Sequence, residues 1–385
     1  MSHSSHHIAV LPGDGVGTEV MAATLKVLEA ALARTGVPLD WDELPWPSTA
    51  WHREHGAMMP EDGLEQLQKY DAILLGALGD PGPLSDPERY VLPDSISLSP
   101  LLAIRKGFDL WACERPAQLL KGAPRFLADP RAAEIDMLVI RENSEGEYVG
   151  QGGRLHRDTP AEVATQVEVF TRFAAERVIR HAFRRAQQRL EERHRGLRRE
   201  RMFNDDRGGE KAAQVCLVTK RNALQYWGDM YTDIFAEIAA GFPDIAIHHE
   251  LIDAACMKFV QCPWRFDVVV ASNLHGDILT DLAAVLSGGM GVAPSCNINP
   301  DNRDHPPMFE PTHGSAPDIA GESRADPRAM ILTAVMMLEW LAESEPRYSE
   351  PAAAMRHAVE EDLANQSQAD RSTTTIADSV IANLD

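Results

Sequence analysis

An α/β fold is predicted by three observations in the 385-residue sequence. Short, continuously apolar runs recur at 8–11, 72–75, 137–140, 215–218 and 268–271, the pattern of strands covered on both faces. Stretches of helical period separate most of these runs, and that alternation builds largely parallel sheets. Charged residues follow two of the runs, Arg141 after 137–140 and Lys220 just beyond 215–218, at the strand ends where open α/β sheets hold ligands. The first run, Ile8-Ala9-Val10-Leu11, passes through Pro12-Gly13-Asp14-Gly15-Val16-Gly17 into a helix predicted from Thr18 onward. Gly13-x-Gly15-x-Gly17 is not the G-x-G-x-x-G of a dinucleotide fingerprint, so the fold is not read as a Rossmann fold. These glycines serve either a tight turn of unusual φ or contact with a cofactor.

Composition narrows the function. Hydrophobic residues make up 44% and charged residues 25%, and no apolar run reaches the ~18 residues of a membrane span. A net charge of -21 repels nucleic acid, and an anionic substrate would need arginines gathered in one cleft. Cys113, Cys216, Cys256, Cys262 and Cys296 form no C-x-x-C pair, which reads as a reduced, cytoplasmic chain. The opening seven residues, with His3, His6 and His7, lack the build of a signal peptide and read as a frayed terminus open to weak metal binding. The segment 184–211 carries Arg184, Arg185, Arg189, Arg193, Arg195, Arg198, Arg199 and Arg201 before turning polar. It reads as a long solvated helix ending in a mobile loop, in preference to a docking patch.

Four further features carry chemistry. In Ser272-Asn273-Leu274-His275-Gly276-Asp277-Ile278-Leu279-Thr280-Asp281-Leu282, a helix starting near Gly276 sets Asp277 and Asp281 at i, i+4 on one face. Their repulsion is relieved by a hard divalent ion such as Mg²⁺ or Mn²⁺, or the pair is a solvated acidic face. Asp253, between an alternating strand and a helical run, is by itself more often an N-cap than a ligand. Arg105, Arg115 and Arg141 adjoin apolar segments and suit bidentate carboxylate binding, although individually each reads as a surface ion pair. The stretch 310–321, EPTHGSAPDIAG, has too many turn formers for a helix or strand and is a loop, either wrapping a nucleotide or ordinary.

Taken in order, LPGDGVGTEV, IRENSEGEYVG, VTKRNAL, SNLHGDILTDL and EPTHGSAPDIAG resemble the β-decarboxylating dehydrogenases, the family of isocitrate, 3-isopropylmalate, homoisocitrate, tartrate and D-malate dehydrogenases. The resemblance covers about residues 8–341, excluding the arginine-rich insert, and the stretches RFDVVVASNL, GVAPSCNINP and PDSIS look most like the tartrate and D-malate branch. It implies two α/β domains sharing a large mixed sheet: residues 1–110 and 288–385 on the cofactor side, and 111–287 for substrate and dimerisation, with an arm near 143–166 and the arginine-rich insert near 184–211. It further implies that Arg105, Arg115 and Arg141 clamp substrate carboxylates, that Lys220 handles the hydroxyl proton and that Tyr148 delivers a proton after decarboxylation. Asp277 and Asp281 would bind the metal, and Asp253 would be donated by the partner of a homodimer. NAD would be contacted by Asn222, His313, Gly314, Ser315, Ala316, Asp318, Ile319 and Asp326, and Mg²⁺ or Mn²⁺, with a monovalent cation such as K⁺, would complete the cofactors. Leu101, Leu102 and Ala223 would read the substituent at substrate C3. The implied activity is oxidative decarboxylation of a small anionic 2-hydroxy acid, D-malate or tartrate. The alternatives are 3-isopropylmalate or another substituted malate, and a non-catalytic regulatory homologue. The sequence departs from the family pattern at His275, where Phe is usual, at Asp326, where Asn is usual, at Ser99-Pro100 and in the insert.

Overall fold

The structure, a computed structural model, describes residues 5–366 and 371–384. Its strands are β1 (His6–Gly13), β2 (Leu39–Glu43), β3 (Ala72–Ala77), β4 (Ala112–Gln118), β5 (Asp136–Glu142), β6 (Gly146–Leu155), β7 (Val163–Val169), β8 (Phe203–Asn204), β9 (Glu210–Lys211), β10 (Gln214–Thr219), β11 (Ala246–Leu251), β12 (Val268–Ala271), β13 (Pro294–Ile298) and β14 (Met308–Pro311). Its helices are α1 (Val16–Thr35), α2 (Thr49–His55), α3 (Gly63–Leu67), α4 (Asp94–Ser97), α5 (Ser99–Gly107), α6 (Arg172–His194), α7 (Gln225–Ala239), α8 (Ile252–Gln261), α9 (Asn273–Leu286), α10 (Arg328–Ala342), α11 (Ser349–Asn365) and α12 (Thr373–Ala382). Ten strands form a mixed sheet in the order β11-β10-β12-β5-β4-β13-β14-β3-β1-β2. The α/β expectation holds, and every predicted apolar run lies in a strand of this sheet.

The chain divides into two compact units. One comprises the described residues up to 110, 118–128 and 284 onward; the other comprises 111–117 and 129–283. In the first, β1 pairs in parallel with β2 and β3, β3 with β14, and β13 turns antiparallel to β14. Ile8, Ala9, Val10 and Leu11 are wholly buried because α1 and its neighbours cover this half-sheet. In the second, β11, β10, β12 and β5 are all parallel, with Val218 level with Ala271 and Ala271 level with Arg141. That register brings the residues following β10 and β12 out at the same sheet edge as Arg141, the ligand-bearing edge of a parallel sheet.

Several local expectations are corrected. His6 and His7 open β1 rather than fraying, with His6 Nδ1 3.1 Å from the Asp71 carboxylate; His3 lies outside the described residues. Helix α1 begins at Val16, not Thr18, and Glu310 and Pro311 end β14 before the loop begins. Ser99 and Pro100 start α5, with proline in its first turn, where a missing N–H costs nothing.

The arginine-rich segment is the largest correction. Arg189 and Arg193 on α6 are buried, not solvated. They converge on the wholly buried Asp267: Arg189 Nε at 2.6 Å, Arg193 Nη2 at 2.7 Å to one oxygen and Arg193 Nη1 at 2.9 Å to the other. Asp136 takes Arg189 at 3.0 Å and Arg198 at 2.7 Å. Beyond the helix, the polar stretch forms the two-strand pair β8–β9 rather than an open loop. Buried charge is tolerated here because each carboxylate is matched by forked donors.

Candidate active site

Helix α9 starts at Asn273, three residues earlier than predicted, because its first turn follows β12 directly and Gly276 N–H already bonds to the Ser272 carbonyl. The longer helix places Asn273, Asp277, Thr280 and Asp281 at i, i+4, i+7 and i+8, one polar stripe along its length. Arg141, at the end of β5, meets this stripe: one terminal nitrogen donates to Asp277 Oδ1, while Nε and Nη2 donate to Asn273 Oδ1 at 2.9 and 2.7 Å. Tyr148, on β6, donates its hydroxyl to the other Asp277 oxygen at 2.9 Å. Arg115, on β4, donates to Thr280 at 2.7 Å and lies 3.7 Å from both Asp277 and Asp281.

The arginines are not the surface ion pairs their sequence context indicated: Arg115 is 9% and Arg141 3% exposed. Their carboxylate partners face outward, Asp277 with 37% and Asp281 with 66% of the side chain accessible. Burial of its environment pushes the Asp281 carboxyl up, and the Asp277 charge adds to this against the opposing pull of Arg115. Two acids one turn apart with residual repulsion are oxygen donors suited to a hard divalent ion. Among the described residues, no three His, Cys, Asp or Glu side chains gather into a metal-holding group.

Asp253 is not an N-cap; it sits in the first turn of α8, behind Leu251 in the capping position. Its exposed carboxylate accepts from Lys220 Nζ at 2.9 Å, and that contact holds it below the usual carboxylate range. Lys220 opens a tight turn in which the N–H groups of Ala223 and Leu224 both bond to its carbonyl, leaving Asn222 and Ala223 exposed. His275, one residue before Gly276, is 7% exposed and packs 5.5 Å from the Trp227 ring. Burial, with the Lys220 charge adding to it, pushes its imidazole down to about 4, so it is neutral at physiological pH.

The other unit holds the remaining candidates. Arg105 on α5 is 7% exposed and donates to Glu310 Oε1 at 2.5 Å, an oxygen that also accepts from Asn297 at 2.8 Å. Leu101 packs partly against the core beside Ile104 and Phe108, and Leu102 is half-buried. The loop after β14 is held by the N-terminal glycine turn: Val16 N–H bonds to the Ser315 carbonyl at 2.9 Å. A Cβ on Gly15, at φ 55°, would lie 2.2 Å from that carbonyl. The glycine turn therefore has at least a structural purpose, close support of this loop. Within the loop Ser315 is buried, Ala316 takes a positive φ of 41°, and Gly314 and Asp318 are exposed. His313 Nδ1 lies 3.0 Å from the Gly314 carbonyl, Ile319 N–H bonds back to Ala316, and burial pushes the His313 imidazole down. Asp326 is committed to Arg328 at 2.8 Å, and burial pushes its carboxyl up.

Asn273 and Thr280 contact the two arginines, yet the sequence reading gave neither a role. The signal was their helical spacing from Asp277, present for Thr280 in a helix starting near Gly276 and for Asn273 only once the helix start is moved to Asn273.

Comparison with known proteins completes the picture. The family model described as isocitrate/isopropylmalate dehydrogenase matches residues 7–198 and 204–380. A 3-isopropylmalate dehydrogenase of Thermobifida fusca is 42% identical, covering 99% of this chain and 98% of its own. A D-malate dehydrogenase [decarboxylating] of Escherichia coli is 40% identical, covering 93% and 91%. Among solved structures, isocitrate dehydrogenase from Methylococcus capsulatus superposes with a TM-score of 0.77 at 32% identity, covering 98% of this chain and 99% of that one. With sequence matched from end to end and the same architecture, the chain belongs to the isocitrate/isopropylmalate dehydrogenase family.

Proposed function

We propose that the protein catalyses the NAD- and divalent-metal-dependent oxidative decarboxylation of a small 2-hydroxy acid, with D-malate or tartrate as substrate. The observation that carries this reading is the cluster in which Arg141, Tyr148 and Arg115 converge on Asp277, one turn from Asp281. Buried guanidinium groups behind an accessible carboxylate pair supply positive charge for a dicarboxylate and oxygen donors for a metal. Asp277 and Asp281, with Asp253 of the partner subunit, would hold the divalent ion, which would supply charge withdrawal from the substrate oxygen, and bound NAD⁺ would supply the hydride acceptor. Arg115 and Arg141 orient the substrate carboxylates, with Arg105 assigned the same task through the family resemblance. Lys220 takes the hydroxyl proton; because it lies 2.9 Å from the Asp253 carboxylate of its own chain, it serves the same site to which that Asp253 is donated. Tyr148 returns a proton to the carbon from which CO₂ departs; its contact with Asp277 sets the direction of its hydroxyl. Asn222 is assigned to the nicotinamide. The loop residues His313, Gly314, Ser315, Ala316, Asp318, Ile319 and Asp326 are assigned to the adenosine portion.

A homodimer is part of this reading. Met257 and Val260 on α8, with Ile278 on α9, leave apolar side chains 58%, 48% and 48% exposed, and the β6–β7 hairpin exposes Leu155, Val163 and Val167. A second copy is the occupant that such surfaces fit, with the test being molar mass in solution by light scattering.

One observation favours a second substrate. Leu101 and Leu102 are apolar where the substituent at C3 is read, which accommodates isopropylmalate, and identities of 42% and 40% do not separate the branches. The deciding experiment compares catalytic efficiencies for D-malate, L-tartrate, isopropylmalate, isocitrate and homoisocitrate at fixed Mn²⁺ and NAD⁺. D-malate ahead of isopropylmalate supports the proposal. Preference for isopropylmalate by more than about tenfold transfers the enzyme to that branch, since one methylene is worth only ~1–3 kcal/mol. No NAD⁺ reduction with any acid would make the chain a regulatory homologue.

A further inference from the structure

We infer that Asn273 is a positioning residue that fixes the Arg141 guanidinium and so sets the face which Arg141 and Asp277 offer to the hydroxy acid. The inference rests on the reading of Arg141 as a substrate clamp, and it concerns how that clamp is aimed. Asn273 is 3% exposed, so water does not compete for its amide. Its Oδ1 accepts from two nitrogens on one edge of Arg141, Nε at 2.9 Å and Nη2 at 2.7 Å. Its Nδ2 donates to the Glu145 carbonyl at 3.0 Å, which fixes the amide orientation, because a flipped amide would turn its NH₂ toward a cation. A planar guanidinium gripped on one edge has its remaining direction set, and here the third nitrogen, Nη1, reaches Asp277.

The approach of helix to strand is built for this grip. Gly276, three residues on, faces Arg141 so closely that a Cβ there would stand 2.7 Å from the arginine Cβ and Cγ. The helix thus comes near enough for the short asparagine side chain to span the gap. Glu145, whose carbonyl anchors the amide, has its carboxylate taken by the N–H and hydroxyl of Thr171 at 2.6 and 2.9 Å. Asn273 therefore ties Arg141 to the backbone leading into β6, the strand that carries Tyr148. Without the amide, Arg141 rotates and its other nitrogens turn toward the Asp277 carboxylate, closing over the oxygens that a metal and the substrate need. A side chain that acts only through Arg141 has no effect of its own once Arg141 is altered.

The test is a double-mutant cycle on the full-length enzyme, reading KM for D-malate, KM for NAD⁺ and the rise in melting temperature on adding D-malate with Mn²⁺. Asn273→Ala should raise KM for D-malate by about tenfold, the cost of losing charge-assisted hydrogen bonds, with KM for NAD⁺ unchanged and the D-malate-induced thermal shift reduced. Arg141→Lys should raise KM for D-malate at least as much, and the double variant should be no worse than Arg141→Lys alone. Asn273→Ser, which keeps a short acceptor, should fall between the wild type and Asn273→Ala, and it takes the place of Asn273→Ala in the cycle should the latter not fold. Effects of Asn273 and Arg141 that multiply, or a KM for D-malate unmoved in the asparagine variants, overturn the inference while leaving the clamp intact. An Arg141→Lys enzyme with normal KM and normal thermal shift overturns the clamp reading itself, and the inference with it.

Discussion

Asp277 is the side chain on which most of the site depends, since Arg141 and Tyr148 bond to its two oxygens and Arg115 stands 3.7 Å away. Asp277→Asn keeps the shape and removes the charge, so turnover should drop by about a hundredfold or more while the Mn²⁺ needed for half-maximal rate rises. Rates measured across a metal titration check this; an unchanged profile would place the metal elsewhere. Lys220→Met should still bind NAD⁺, seen by fluorescence titration, yet lose roughly 10²–10⁴-fold in hydride transfer, the usual contribution of a general base. Normal turnover in that variant would pass the base role to a water or to Asp253. The sequence singled out both residues because their spacing and strand-end positions are local properties. It gave no role to Asn273 and Thr280, because an asparagine and a threonine acquire meaning only from the arginines they meet across the helix face.

Element by element, helix α6 shows where sequence patterning misleads. An arginine-dense helix reads as solvated, yet Arg189 and Arg193 turn inward because Asp267, 78 and 74 positions further along the chain, waits at the start of β12. Asp267→Asn leaves two buried guanidinium groups short of a counter-charge, a loss of about 3–5 kcal/mol. Urea unfolding curves should show it as a lower midpoint, and a midpoint within error of the wild type would mean that the network contributes nothing net. The same network makes a pH prediction. Burial pushes Asp136 up, but Arg189 and Arg198 more than offset this and hold it at about 2, below its ordinary 3.8. Glu114 is likewise held at about 2 against 4.5, burial being overcome by Arg185 and His181. Both folded-state values are depressed, so their stabilisation is fully present above about pH 4.5 and lost as pH falls toward 2. Unfolding free energy measured from pH 6 to 2 should decline within that window, and Glu114→Gln should make the decline shallower; a decline centred above pH 5 would assign it to other groups.

For the whole molecule, a net charge of -21 sets the problem that an anionic substrate must be drawn to an acidic protein. In the proposed function that task falls to Arg105, Arg115 and Arg141, which are almost fully enclosed, so their charge acts locally rather than across the surface. The same reasoning bears on the cofactor. Asp318 is exposed in the loop after β14 and followed by Ile319; under the proposed assignment of this loop to the adenosine, its carboxylate would accept free ribose hydroxyls and repel a 2′-phosphate. Catalytic efficiency with NAD⁺ should therefore exceed that with NADP⁺, and the reverse order in paired assays would remove Asp318 from the ribose. Among the described residues, no helix is long and apolar enough to cross a membrane.

The sequence by itself determined the continuously apolar strands β1, β3, β5, β10 and β12, the two charged positions that follow β5's and β10's apolar runs and the acidic pair on α9, because apolar runs and i, i+4 spacing are written in neighbouring residues. Only the tertiary structure decided which arginines are enclosed and what each one grips: Arg189 and Arg193 on Asp267, Arg141 on Asn273 and Asp277, Arg105 on Glu310, 205 positions away. The physical reason is that burial and pairing belong to surfaces brought together across the sheet and not to the segment that bears the charge. An arginine's own neighbours in the chain carry no record of the carboxylate it will meet.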